Sequence, residues 1–244
     1  MKIALFIPCY IDQFYPQVGI ASYELLTKLG FDVDVPTKAT CCGQPIANSG
    51  FEHQAIPVYE KYVDAYAGYD FIVMPSGSCT LHVKQHYDIL PQSENVKNIR
   101  SNTIDIIDFL IKFAWDKLPK IDFPYQVALH MGCHSLRGLG LGHSSELYVK
   151  PTNQLEILMQ KVNTTSLNTF ERPDECCGFG GTFAVSEEAI STKMGQDKIK
   201  YIKNTPTEIL ISNDVSCLMH LDGVAKKGKQ QLKMMHIVEI LNLF

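Results

Sequence analysis

The sequence predicts an α/β protein made of two pseudo-symmetric half-domains, each a parallel sheet with helices packed on it. Three observations predict this. Apolar runs of strand length alternate with stretches of helical periodicity, the pattern of βαβ units. The eight cysteines fall into two sets of four in one order, a single Cys, then Cys-Cys-Gly, then Ser-Cys-x-x-His, which is the signature of an internal duplication. The single cysteines follow directly on apolar runs, and the carboxyl ends of parallel strands are where ligands gather in such sheets.

Taken in order, KIALFIP (2–8) is a short apolar run with β-branched residues, a buried strand, and Cys9 stands behind it. Residues 17–29 carry Val18, Ile20, Ala21, Leu25, Leu26 and Leu29 at helical spacing and stop at Gly30, a suitable residue just past a helix end. Phe31 to Val35 is a second strand, followed by Cys41-Cys42-Gly43; residues 53–67 suggest a helix. Phe71 to Met74 is a buried strand closed by Pro75, and Cys79 comes next. The second half repeats the series, with strands near 126–130, 165–170 and 208–212 and helices near 151–162, 183–203 and 217–227. Its cysteines take the matching places: Cys133, then Cys176-Cys177-Gly178, then Cys217. Both halves close on similar apolar patterns, IDIIDFLI at 104–111 and HIVEILNL at 236–243. The join is predicted at 118–123, near Pro119 and Pro124, giving half-domains 1–120 and 121–244 with the cysteines on loops at strand C-terminal ends.

Composition narrows the function. With 45% hydrophobic and 20% charged residues, the chain is too apolar for disorder. Its net charge of -4 leaves no basic excess to neutralise phosphates, so no nucleic-acid partner is expected. No run approaches the roughly 18 apolar residues of a membrane span. The N-terminal apolar run from Ile3 stops at Pro8, too short for a secretion signal, so a cytoplasmic setting with reduced thiols is expected. Adjacent cysteines, as at 41–42 and 176–177, also strain a mutual disulfide.

Four thiolates per half, gathered from three segments, suit a soft metal site. The C-x(2–4)-C pairs typical of zinc and the C-x2-C-x2-C run of ordinary ferredoxins are both absent, so a polynuclear iron–sulfur site fits the spacing best, with zinc or redox-active thiols as alternatives. Gly43, and Gly178, Gly180 and Gly181 in CCGFGG, would let backbone N–H groups approach a cluster or an anion, unless they serve turn packing alone. His130, His134 and Arg137 bracket Cys133, as candidate metal ligands or as neighbouring cationic groups that would stabilise an anionic cluster. Arg137 could instead clamp a carboxylate substrate or sit solvated on the surface. Gly138-x-Gly140-x-Gly142 looks faintly like a dinucleotide fingerprint but lacks the following acidic residue, so no NAD is expected.

The motifs CCGQPIANSG (41–50), PSGSC (75–79), CHSLRGLGL (133–141), CCGFGGTFAV (176–185) and CLMHL (217–221) resemble those of the CCG, or cysteine-rich, domain family, and most closely its lactate-utilization branch. The family also includes the iron–sulfur subunit of glycolate oxidase and the CCG-containing subunit of heterodisulfide reductase. The resemblance implies iron–sulfur clusters of 4Fe-4S type, one per half, with Cys9, Cys41, Cys42 and Cys79 as one ligand set and Cys133, Cys176, Cys177 and Cys217 as the other. It implies an oxidoreductase: an electron-transfer subunit of a multi-protein system, not nicotinamide-dependent, that oxidises a small hydroxy acid, L-lactate, to pyruvate. The implied partners are a ferredoxin-type iron–sulfur protein and a third lactate-utilization subunit. A thiol–disulfide redox subunit like heterodisulfide reductase, and a zinc-stabilised assembly subunit, are the competing functions. One departure stands out. Where the heterodisulfide reductase motif ends in C-x-x-C, this chain has His82 and His220. Each shares a helical face with the cysteine three residues before it, so each is a candidate ligand or a residue supporting one.

Overall fold

The computed structural model describes residues 1–39 and 41–244. The chain divides into two compact units, Met1–Ala114 and Trp115–Phe244.

The first unit runs β1 (Lys2–Leu5), α1 (Cys9–Phe14), α2 (Pro16–Lys28), β2 (Asp32–Asp34), α3 (Gln44–Asn48), α4 (Ile56–Tyr66), β3 (Phe71–Met74), α5 (Gly77–His86), α6 (Glu94–Asn102), β4 (Thr103–Asp105) and α7 (Ile106–Phe113). Its four strands are all parallel in the order β2-β1-β3-β4. Ile3, Ala4 and Leu5 of β1 and Ile72, Val73 and Met74 of β3 are fully buried, which is why these central strands read as continuous apolar runs instead of alternating ones. Helix α2 buries Val18, Ala21, Leu25 and Leu26 at the predicted spacing. Helix α4 buries Tyr59, Tyr62 and Tyr66, and the last two pack edge-on against Phe6 just beyond β1.

The second unit contains β5 (Ile121–Asp122), β6 (Gln126–His130), β7 (Gly142–His143), β8 (Thr152–Asn153), α8 (Gln154–Met159), β9 (Val162–Asn163), β10 (Ser166–Leu167), α9 (Phe183–Ser186), α10 (Glu188–Lys203), β11 (Ile209–Ser212), α11 (Val215–Lys227), β12 (Lys233–His236) and α12 (Ile237–Leu241). Its main sheet is again four parallel strands, ordered β10-β6-β11-β12. Position for position this is the order of the first unit, so the doubled cysteine pattern reflects a doubled topology. Strands β5 and β9 form a parallel pair, and β7 and β8 an antiparallel one.

The structure departs from the sequence-based elements in places. The helix predicted at 53–67 begins as a 3-10 turn, Glu52–Ala55, before α4. The one at 151–162 is confined to α8, because Thr152 and Asn153 pair with β7 and the Asn153 side chain then caps the helix by accepting from the Glu156 N–H. The one at 183–203 breaks at Glu187, whose φ of -121° and ψ of 46° lie outside the helical range. The strand predicted at 165–170 is only two residues long, at the sheet edge.

Of the single cysteines, Cys9 opens α1, while Cys79 and Cys217 lie in the first turns of α5 and α11. Cys133 is the cap of a single wide helical turn, His134–Gly138. All four therefore follow the C-terminal end of a strand, and each sits at the start of a helical turn. Only the Cys-Cys pairs, 41–42 and 176–177, lie in irregular backbone.

Candidate metal centres

In each unit the four thiols form a connected chain of sulfur contacts. In the first, Cys9 touches Cys41, Cys41 touches Cys42, and Cys42 Sγ lies 3.3 Å from Cys79 Sγ. In the second the same chain runs from Cys133 through Cys176 and Cys177 to Cys217. All eight cysteines are free thiols. The third and fourth members of each set are buried and the first two half-buried, so each group has a closed floor and a solvent-facing mouth.

The vicinal pair owes its shape to the following glycine. Gly43 has a φ of +88° and Gly178 a φ of +96°, both left-handed. There is also no room for a side chain. A Cβ on Gly43 would lie 2.4 Å from the Tyr59 ring, and one on Gly178 would lie 2.7 Å from the Ser191 carbonyl oxygen. The turn aims the glycine N–H back at sulfur: Gly43 donates to Cys41 Sγ at 3.3 Å and Gly178 to Cys176 Sγ at 3.4 Å.

These contacts set the acidity of the metal-free groups. Hydrogen bonds from the Cys42 and Cys9 thiols, with the Gly43 N–H, pull Cys41 down to about 3. Hydrogen bonds from Cys133 and Cys177, with the Gly178 N–H, pull Cys176 down to about 2. The donors move the other way. Cys9 and Cys42 are raised first by their bonds to Cys41, and Cys133 and Cys177 first by theirs to Cys176. Each unit thus holds one thiolate solvated by two neighbouring thiols and a backbone N–H. That is a donor set with one negative charge already in place, and metal binding would displace the remaining thiol protons.

The chain matches the model of the cysteine-rich domain named CCG over residues 3–84 and 127–222. It belongs to this family. It is 34% identical to "Lactate utilization protein A" of Halalkalibacterium halodurans over 99% of this chain and 97% of that protein. It is 35% identical to the protein of the same name in Geobacillus thermodenitrificans, over 99% of both. Among solved structures, a glutamate racemase of Bacillus anthracis overlaps with a TM-score of 0.37 at 11% identity, covering 99% of this chain and 79% of that one, a likeness too slight to bear on fold or function.

The CCG cysteines and glycines come together around each thiol group, and the histidines divide. His82 is buried one turn along α5 from Cys79, its Nε2 is 3.0 Å from the Tyr59 hydroxyl, and its ring stacks on His86. It is close enough to Cys41 to favour that thiolate electrostatically. His220 Nε2 lies 3.3 Å from the Ser191 carbonyl oxygen, and burial lowers its pKa. In both residues one ring nitrogen is engaged with protein. Tyr59 thus does two things, filling the space behind Gly43 and orienting His82. Its role is hidden in the sequence, because a tyrosine on an apolar helix face looks like packing alone. Arg137 is exposed and engaged with Glu146 and with the Asp174 carbonyl oxygen, a surface clasp between two loops. His134 is half-buried in the turn after Cys133, and Gly180 and Gly181 continue the left-handed backbone beyond Gly178.

His130 is different. It ends β6, is fully buried, and has no hydrogen-bond partner on either ring nitrogen. A ring nitrogen of His130 and the Sγ atoms of Cys177 and Cys217 all lie within 4.8 Å of one another. Burial, with Lys198 nearby, depresses its pKa well below the usual histidine value, so the ring is neutral, the form that binds metals. Lys198 is itself buried, with Nζ 3.2 Å from the Pro173 carbonyl oxygen and 5.3 Å from the Phe170 ring centre. A donor set of clustered thiols with a partnerless buried imidazole fits a thiophilic metal or an iron–sulfur cluster.

Proposed function

We propose that the chain is an electron-transfer subunit of a multi-protein system oxidising L-lactate to pyruvate, holding one iron–sulfur cluster in each unit. The observation that carries this reading is the duplicated group of four contiguous thiols at strand ends, in a chain whose full-length relatives are named for lactate utilization. Cys9, Cys41, Cys42 and Cys79 would hold one cluster, and Cys133, Cys176, Cys177 and Cys217 the other.

Such a cluster supplies one-electron storage and release. Oxidising lactate to pyruvate gives up two electrons and two protons, so two one-electron centres match one turnover. The chain's own residues supply the holding frame: thiolates as ligands, Gly43 and Gly178 N–H groups as donors to sulfur, and buried floors that exclude water. The mouths at Cys9, Cys41, Cys133 and Cys176 are half-open, as exchange of electrons with a partner of the ferredoxin-type iron–sulfur class requires. Among the described residues no helix is long and apolar enough to cross a membrane.

The test is anaerobic purification followed by iron, sulfide and zinc analysis, then addition of lactate together with the partner subunits. Iron and sulfide in cluster amounts, with visible absorbance that bleaches on lactate addition, is the expected result. One zinc per unit without iron would replace the electron-transfer reading with a structural one. Clusters that respond to a disulfide substrate and not to lactate would point to thiol–disulfide chemistry.

A further inference from the structure

The two thiol groups are alike in their cysteines and unlike in what lies behind them. Phe6 stands three residues before Cys9, and His130 stands three residues before Cys133. The ladders agree with this alignment. The Phe6 N–H bonds to the Val73 carbonyl oxygen in the first unit, and His130 faces Ser212 in the second. In the first unit, then, this place at the end of the central strand is a fully buried phenylalanine packed edge-on to Tyr62 and Tyr66. In the second it is a fully buried imidazole without a hydrogen-bond partner. A buried polar group left unsatisfied is destabilising, and the first unit shows that the fold needs no polar residue at this position.

Resting on the metal-centre reading above, we propose that His130 is a ligand of the second unit's metal centre, so that the first centre has only thiolate ligands and the second a mixed set of thiolates and an imidazole. Three things support it. The ring is within reach of the Cys177 and Cys217 sulfurs, and small side-chain rotations close the three around one metal. Its nitrogens have no other partner. Among the described residues, the second unit also buries a lysine beside its thiols: burial lowers the Lys198 pKa, Cys177, Cys217, Glu175 and Cys176 oppose that by attracting its ammonium, and the residue at the same spacing from Cys42 is Val63. A neutral nitrogen ligand and a buried ammonium both stabilise the reduced, more negative state of a centre, as histidine ligation does in Rieske-type sites. The second centre is therefore the one of higher reduction potential.

The experiment uses the whole chain, purified anaerobically, with natural and 15N-histidine-labelled protein compared by pulsed electron paramagnetic resonance in the reduced state. A Cys79→Ser background isolates the second centre. The expected result is a strongly coupled histidine nitrogen in the wild type that switches isotope on labelling and is lost in His130→Phe, together with a fall in the second centre's potential. Phenylalanine is chosen because the first unit already holds it at this position; should the variant not fold, the labelled Cys79→Ser chain carrying His220→Ala decides instead, since a coupling that persists there upholds His130 and one that is lost there overturns it. Iron present with no histidine coupling, or a coupling and potential unchanged in His130→Phe, overturns the proposal and leaves the cluster reading standing. Zinc in place of iron overturns the cluster reading, and a nitrogen scatterer in the zinc X-ray absorption that disappears in His130→Phe upholds the ligand. Absence of any bound metal overturns both.

Discussion

A cysteine whose thiolate is solvated by two neighbouring thiols behaves unlike its partners, and that difference is measurable without metal. Cys41, lowered to about 3, and Cys176, lowered to about 2, are thiolates from pH 5 upward, whereas an ordinary thiol, with its value near 9.0, is still mostly protonated at pH 5 to 8. Lowered pKa values mean the anion persists as pH falls, so alkylation of these two should be nearly constant from pH 8 to pH 5. The rate for an ordinary thiol drops about tenfold per pH unit over the same span. Cys42 and Cys177 are buried as well as raised, and Cys9 and Cys133 are raised by donating to the thiolate. Iodoacetamide at pH 5 on the metal-free protein should therefore label one position per unit, Cys41 and Cys176, as read by peptide mass mapping. Labelling spread over all four half-buried thiols would show that the proton is not partitioned in this way. The eight cysteines were legible in the sequence because a doubled, ordered pattern needs no geometry to be seen. His130 was legible only as one of three groups bracketing Cys133. What sets it apart from His134 and Arg137, full burial without a partner at a place where the other half carries Phe6, needed the structure and the alignment of the two halves.

At the level of elements, the helices that start under the thiol groups are held by caps that differ between the units. Asp214 accepts from the Ser216 N–H at 3.0 Å and from the Ser216 hydroxyl at 2.6 Å, capping α11 one turn before its cysteine is reached. Its counterpart in α5 is Ser76, whose hydroxyl accepts from the Cys79 N–H at 3.5 Å, a longer bond. Removing such a cap costs about 0.5–2 kcal/mol, with weaker caps at the low end. Asp214→Ala should lower the urea midpoint by more than Ser76→Ala does, and Asp214→Asn should recover most of the loss because Asn can also accept from the backbone. Equal losses for both alanine variants would mean that the caps are not what anchors these turns. The edge strands show why element boundaries were harder to read. β4 and β12 pass without a break into α7 and α12, with Asp105 and His236 each ending a strand and capping the next helix. A single apolar pattern over 104–111 or 236–243 therefore conceals two elements, and no turn residue marks the change.

Across the whole molecule, the decisive property is that each unit carries its own four-stranded sheet, its own core and its own complete set of four thiols. Neither of the proposed ligand sets draws on a residue of the other unit. Metal occupancy should accordingly be additive: Cys79→Ser should remove the metal of the first unit and leave that of the second, Cys217→Ser should do the converse, and the double variant should hold none. Iron and sulfide analysis of the three variants reads this directly, and near-unchanged far-ultraviolet circular dichroism of each would show that metal was lost without unfolding. Because a ligand that binds only the folded form stabilises it by RT ln(1 + L/Kd), with L the free ligand concentration, each single variant should also lose the metal-dependent part of the thermal stability of one unit only, splitting the melting profile into a lowered and an unchanged transition. Loss of both metals in either single variant would mean that the centres depend on each other, and the two units would then have to be treated as one cofactor-binding whole. If occupancy is additive while the potentials differ, the duplication would have produced two separately held redox stations of different strength, an arrangement that suits the proposed transfer of an electron pair in single steps.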